Sequence, residues 1–447
     1  MQFKGESIID EWILKPETVA KSKKYYAHFD CRTDIRKAEK NVTDSNWVAH
    51  HGFYPFIHYE KDCSKYTSKG KKDKKRDICY AAHIDRCILQ FYCHRMNEVY
   101  NQRIREYHIE DVPVAYRSDL GLNNIHLAKQ AIDFIKANPK AYVLIGDFTG
   151  FFDNLDHAYL KEQWCKLLGV DRLPSDHYTI FKNITRYSVW ELDDLLEIND
   201  LPKTSSGRKK LNAMRTVLTT DQFKKYRSHI HKNPNSYGIP QGSPISALLA
   251  NVYMMEVDQK IKAIVAQHNG KYMRYSDDFI IVLPVEESVA NDAIKSVNQI
   301  IHDTPRLELE PKKTQIFRTN LPEIINMGDS FLEHADKSKN VINFLGFTFD
   351  GKKTTLRPKT VSKYYYRMYR KAHVIAENPG QKGKDHLYER YSERGARSGE
   401  GKKGNFFTYV QRAEKIFGDA EEIRRPVKNH MAKIRKALKE GKHKSRA

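Results

Sequence analysis

The stretch Tyr275-Ser276-Asp277-Asp278 most constrains what this chain can fold into. It lies between two short apolar runs, Lys271-Tyr272-Met273-Arg274 and Phe279-Ile280-Ile281-Val282-Leu283. Two β-prone runs joined by a tight polar pair predict a hairpin with the Asp pair at its tip. Adjacent carboxylates repel each other, so such a turn calls for positive charge between them. Oxygen-only ligands suit Mg²⁺ or Mn²⁺.

The 447-residue chain carries 77 Lys+Arg against 56 Asp+Glu, a formal charge of +21. That excess predicts a polyanionic partner, nucleic acid rather than membrane. No run of about 18 uncharged apolar residues is present, so no membrane span is expected. Acidic Glu6 precedes any apolar stretch, which argues against a signal peptide and for a cytoplasmic protein. All 6 cysteines fall within the first 165 residues without a CxxC pair. A disulfide framework is not expected in a cytosolic chain of this size. The spacing of Cys79, His83, Cys87, Cys93 and His94 matches no common structural zinc site, and reduced thiols with a core histidine are the expectation.

Residues 1–60 lack a clear period and predict helices and loops. Lys61 to Arg76 holds eight basic and two acidic residues, with a turn at Gly70 and Asp73 and a returning strand at Asp77–Tyr80. Helices are expected from His83 to Tyr107, from about Asn123 to Ala137, over Leu160–Leu168 and from about Tyr178 to Leu196. Thr204–Lys210 reads as an insertion or exposed loop. Gly238–Pro244 reads as a rigid turn leading into an apolar helix, Ile245 to about Ile264, and residues 287–303 as an amphipathic helix. Thr360–His373 is a basic, tyrosine-rich helix by pattern. Gly-rich residues 378–404 read as a flexible linker, and a Lys/Arg helix follows Pro426 with Val427, Met431, Ile434 and Leu438 on one side.

Two-metal nucleotidyl transfer needs at least three carboxylates from separate strands around two shared cations. Asp147 supplies the third, ending the hydrophobic run Ala141–Gly146. A strand-terminal Asp facing a hairpin-tip Asp pair is the arrangement this chemistry requires.

Taken in order, these segments resemble the motifs of bacterial reverse transcriptases. Asp147–His157 resembles motif A, Gly238–Met254 motif B, and Tyr275–Asp278 the YxDD box of motif C. Leu307–Thr314 is similar to motif D, Phe344-Leu345-Gly346-Phe347 to the primer-grip hairpin, and Lys74–Ile78 to a fingers strand that holds the incoming triphosphate. The resemblance covers roughly residues 70–350. It implies an α+β right-hand polymerase fold, with fingers, a palm of antiparallel sheet plus helices, and a helical basic thumb. The boundaries expected are an N-terminal helical extension at 1–60, fingers at 61–140, and palm at 141–350 with insert helices at about 165–235. The thumb and basic C-terminal region occupy 351–447.

The resemblance further implies catalysis by Asp147, Asp277 and Asp278, with Lys313 as acid toward the leaving pyrophosphate. Two Mg²⁺ ions, replaceable by Mn²⁺, would be held by Asp147, Phe148, Asp277 and Asp278. Substrate dNTP would meet Lys75, Arg76, Phe152 and Gln241. Nucleic acid would meet Arg117, Gly242, Gly346, Lys363 and Arg367. Phe152 stands where RNA-dependent RNA polymerases usually carry a polar residue that welcomes a 2′-hydroxyl. A phenyl ring there leaves a buried hydroxyl unpartnered, about 1–3 kcal/mol and so roughly 10–100-fold against ribonucleotides. The expected product is therefore DNA.

Among relatives, a group II intron enzyme would need more chain after the palm, and a retron enzyme would carry a Val-Thr-Gly signature that is absent. Asn405–Ala413 resembles a segment of the stand-alone anti-phage defence group. That resemblance implies a structured non-coding RNA template, dNTPs and a DNA primer or product in a bacterial cytoplasm, without fixing the oligomeric state. The alternatives are a group II intron-like or retron-type enzyme, a template-independent polymerase, and a non-catalytic RNA-binding scaffold.

Overall fold

The computed structural model describes residues 11–63, 65–67, 70–336, 339–377, 384–396 and 404–444. The chain divides into two compact units, each built from three separated segments. The first comprises Met1–Tyr116, Phe148–Lys262 and Asn298–Leu309; the second comprises Arg117–Asp147, Ala263–Val297 and Glu310–Ala447.

The first unit holds a four-stranded sheet. Phe56–Asp62 pairs antiparallel with Lys75–Tyr80 on one side and parallel with Ser188–Glu191 on the other, and His231–Lys232 closes the far edge. Behind it a core gathers Phe29, Ile57, Trp190, Leu195, Leu196 and Leu211. Tyr178–Leu196 is not one helix. A helix over Ser175–Thr185 stops, and Ser188–Glu191 forms a strand before Leu192–Ile198 resumes. Val189 and Trp190 find a ladder on Phe56 and Ile57, and that tertiary pairing overrides the helical spacing. Thr204–Lys210 is likewise not a loop. The Thr204 hydroxyl accepts from the Gly207 N–H, and a helix runs over Ser205–Ala213 with Leu211 anchored in the core. The helix expected from Ile245 breaks at Met254 into Ser246–Tyr253 and Met255–Gln267.

The second unit is built on a five-stranded antiparallel sheet. Its central strand Lys140–Asp147 lies between Gln315–Asn320 and Asp278–Leu283, with Glu323–Asn326 and Lys271–Tyr275 at the edges. Val143, Ile280, Ile281, Val282 and Phe317 are buried, the near-continuous apolar run expected of strands covered on both faces. A three-stranded sheet follows, made of Ile342–Phe344, Phe347–Phe349 and Thr354–Leu356. Beyond it helices run over Pro358–Glu377, Phe406–Ile416 and His430–Lys444. The span read as a linker, 378–404, contains a helix at Lys384–Tyr391 and a 3₁₀ turn at Glu393–Gly395, which Leu387 pins into the interior; its remaining parts, 378–383 and 397–403, lie outside the described residues. All 6 cysteines are free thiols, with Cys79 and Cys87 buried and raised to about 12 by that burial. Among the described residues, no helix is long and apolar enough to cross a membrane.

Candidate active site

The carboxylates are positioned by the sheet of the second unit. Asp147 ends the central strand, 8% exposed, and sits directly opposite Asp278 in the antiparallel ladder. Tyr275 pairs with Asp278, so the hairpin loop is the dipeptide Ser276-Asp277 rather than the Asp pair. Ser276 takes the left-handed region, φ 62°, which is what a tight two-residue hairpin requires. Asp277 therefore projects from the turn while Asp278 is locked into the ladder. Beneath the turn Arg274, fully buried, donates from Nη1 to the Ser276 carbonyl at 3.1 Å. Gly146 precedes Asp147 because the Phe279 ring occupies its side-chain space; a Cβ there would lie 2.3 Å from Phe279 Cζ.

Desolvation by the surrounding protein, then the charges of Asp277 and Asp147, push the Asp278 carboxyl up to about 7. The residue as a whole stays exposed, so the solvent it retains moderates that rise. Positive charge already reaches the cluster. Lys313, on the short 3₁₀ turn Pro311–Lys313, places its ammonium on the Asp147 carboxylate. That turn is tied to the strand end, since the Glu310 N–H donates to the Asp147 carbonyl at 2.8 Å and the Lys313 N–H to the Glu310 carbonyl at 2.9 Å.

The donor set fits a hard divalent cation: hard oxygen donors that repel one another and draw in an ammonium group. Among the described residues, no three His, Cys, Asp or Glu side chains converge as a finished metal cage. Mg²⁺ is commonly held by one or two carboxylates completed by substrate phosphates and water, so an unfinished protein cage is compatible with it.

The other sequence-derived candidates fall in two groups. In the first unit, Phe148 is buried and bridges antiparallel to Leu309, and Phe152 is half-exposed with its ring 5.6 Å from Phe151. Gln241 donates to the Asp153 carboxylate at 2.9 Å, and its carbonyl accepts from the Cys79 N–H at 2.8 Å. Gly242, φ 109°, lets the turn close on Cys79: a Cβ would lie 2.5 Å from the Cys79 carbonyl oxygen. Lys75 and Arg76 are consecutive strand residues and so point to opposite faces. Lys75 pairs with Glu60 at 2.5 Å, and both side chains are exposed. The two cations therefore do not share one face.

In the second unit, Arg117 is buried and ion-paired with Asp119 at 2.6 Å, so it offers no open contact for a template. Leu345-Gly346 form the two-residue turn between Ile342–Phe344 and Phe347–Phe349, both with positive φ. Asn124 braces this turn, donating from Nδ2 to the Leu345 carbonyl at 3.0 Å and to the Tyr409 hydroxyl at 3.1 Å. Neither Asn124 nor Tyr409, nor Arg274 under the carboxylate turn, stands out in the sequence. The only available signal for Arg274 is a charged residue inside an apolar strand.

The antiparallel sheets and their helices have the α+β fold of the right-hand polymerase type. Residues 196–349 match the family described as reverse transcriptase (RNA-dependent DNA polymerase). No curated protein matches it. Among solved structures it is similar to apo telomerase from Candida tropicalis truncated from the C-terminal domain, at 13% identity and TM-score 0.41, covering 72% of this chain and 60% of that one. It is also similar to Candida albicans telomerase in complex with a TWJ fragment of telomeric RNA, at 13% identity and TM-score 0.39, covering 92% and 62%. A further match is apo telomerase from Candida tropicalis, at 12% identity and TM-score 0.38, covering 94% and 70%. The chain thus spans under two thirds of the length of the first two.

Proposed function

We propose that this chain is an RNA-directed DNA polymerase that extends a 3′-hydroxyl by nucleotidyl transfer. The observation that carries the reading is the opposition of Asp147 and Asp278 across one ladder, with Asp277 on the adjoining two-residue turn. Asp147, Asp277 and Asp278 would hold the divalent cations, with the Phe148 carbonyl as a further oxygen donor. When bound, Mg²⁺ supplies charge neutralisation at the triphosphate and a lowered pKa for the attacking hydroxyl.

The chain's own residues do the rest. The ladder fixes two carboxylates by backbone pairing, and buried Arg274 holds the turn that presents the third. Lys313, whose ammonium rests on the Asp147 carboxylate, would act as the acid toward the departing pyrophosphate oxygen. Phe152 offers a ring and no hydrogen-bond partner to a 2′-hydroxyl, which favours dNTPs. The finer reading is a stand-alone bacterial enzyme of the anti-phage defence type working on a structured non-coding RNA. It is supported by the resemblance of Asn405–Ala413 and by the +21 charge.

The test is to purify the protein from its own locus, beside Asp277→Asn, and to sequence all bound RNA and DNA. One discrete RNA in both samples with complementary DNA only in the wild type supports the reading. RNA without DNA in either, together with no Mg²⁺-dependent dNTP incorporation, would replace it with a non-catalytic scaffold.

A further inference from the structure

The helices after the three-stranded sheet enclose a cavity of about 1250 Å³, walled by Pro358–Glu377, Lys384–Tyr391 and the start of Phe406–Ile416. One wall is cationic by helical spacing. Lys363, Arg367, Arg370 and Lys371 recur on a single face of the first helix, and Arg390 joins them from the second. All five side chains are exposed, and none makes an ion pair with a described residue. Among the described lining residues the one carboxylate, Glu389, is itself paired with His386 at 3.4 Å.

The other wall is aromatic and braced. Tyr364 stacks on Phe406 with centroids 4.8 Å apart, and its hydroxyl donates to the Tyr391 carbonyl at 2.6 Å. Asn405 donates to the carbonyls of Glu389 at 2.8 Å and Ser392 at 2.7 Å, fixing the second helix against the third. Tyr391, half-buried at the cavity lining, leaves part of its ring accessible.

We propose that this cavity is a binding site for single-stranded nucleic acid, separate from the contact a thumb helix makes with a duplex. Unpaired phosphates aligned with a cationic groove and unpaired bases stacked on aromatic rings are the chemistry of single-strand binding. The volume exceeds the roughly 300–1,000 Å³ that encloses one drug-sized ligand, so more than one nucleotide fits. A duplex keeps its bases stacked inside, where they cannot stack on the aromatic wall. The inference deepens the proposed polymerase reading, on which it rests only for the source of the strand.

The test is fluorescence anisotropy on the full chain, with a labelled 12-nucleotide oligo(U), oligo(dT) of equal length and a blunt 12-base-pair RNA duplex, over a range of KCl. Arg370→Glu/Arg390→Glu is expected to weaken oligo(U) at least tenfold and to flatten the log–log salt slope by about 1.4, two phosphates at roughly 0.7 each. Tyr391→Leu is expected to weaken it about fivefold, with duplex binding within twofold for both variants. Tighter binding of oligo(U) than oligo(dT) assigns the site to RNA, and the reverse assigns it to the DNA strand. Unchanged single-strand affinity, or duplex affinity lost in equal measure, overturns the proposal. Should the variants misfold, 4-thiouridine oligonucleotides crosslinked to the wild type decide instead. Adducts within 358–377, 384–391 or 404–412 support the site, and adducts only elsewhere refute it. A wild type that binds oligo(U) through these residues yet incorporates no dNTP would defeat the polymerase reading and leave this site standing.

Discussion

The two sheets carry their charged candidates in opposite ways. In the second unit Asp147 and Asp278 terminate strands whose interiors are almost wholly buried, and their separation is set by a ladder that cannot slip without turning every apolar side chain outward. In the first unit Lys75 and Arg76 lie at the exposed beginning of an edge strand, where alternation sends them to different faces and Glu60 already engages one of them. Groups that must share a cation need fixed spacing, and a buried ladder provides it. Groups proposed to meet a flexible triphosphate through long side chains would tolerate an exposed edge.

That contrast predicts unequal responses to substitution. The largest loss should follow Asp277→Asn or Asp278→Asn, on the order of a thousandfold or more in dNTP incorporation, with RNA binding retained. Removing one charge from a crowded carboxylate set should leave the melting temperature unchanged or higher; a collapse of the fold would show that the carboxylates are structural. Next comes Arg274→Met, which touches no substrate. Losing the guanidinium under the Ser276 carbonyl should shift the turn and cost about a hundredfold in rate, and wild-type activity would mean that the ladder alone holds the turn. Phe152→Ala should relax NTP-versus-dNTP selectivity by roughly 10–100-fold, and unchanged selectivity removes Phe152 as the gate.

On the exposed edge Arg76→Ala should raise the KM for dNTP by about tenfold, the measure of one or two charge-assisted hydrogen bonds, with stability unchanged. An effect as large as that of Asp277→Asn would erase the distinction between the two sheets.

The smallest expected effect concerns acid stability of the first unit. His28 is fully buried, and burial holds its imidazole down to about 3. Between that value and its ordinary 6.5 the unfolded chain takes a proton that the folded chain refuses, so stability is complete above pH 6.5 and drains as pH falls. Buried Asp85, raised to about 6 by desolvation, works in the opposite direction, favouring the folded state as it protonates. Thermal unfolding of His28→Leu from pH 7 to 4 should show a flatter acid limb than wild type, and an identical limb would assign the acid sensitivity elsewhere.

Much of the carboxylate site was legible because it rests on short-range patterns. Asp147 closes an apolar run and Asp277-Asp278 interrupt another, so strand, turn and chemistry share one stretch of chain. The exact turn was not legible. Only the pairing of Tyr275 with Asp278 shows that Ser276 takes the strained position and that one carboxylate lies on the turn while the other lies in the ladder. Helical spacing misled at Ser188–Glu191, where a partner strand more than a hundred positions earlier in the chain captured Val189 and Trp190. It misled in the other direction at Thr204, whose capping oxygen starts a helix in a stretch that composition alone assigns to a loop. Arg117 looks like an open template contact in sequence and is a buried ion pair in the fold.

By itself the sequence determined which residue types are available: three carboxylates at or beside strand ends, a cationic surplus, and an aromatic five residues after Asp147. Local patterning suffices for that, because alternation and turn chemistry act over a few residues. The tertiary structure alone decided which of them meet. It drew Lys313 onto Asp147 across 166 positions, set Asn124 and Tyr409 behind the Leu345-Gly346 turn, and assembled each compact unit from three separated segments. Those choices depend on which distant surfaces bury one another, and no window of sequence contains that information.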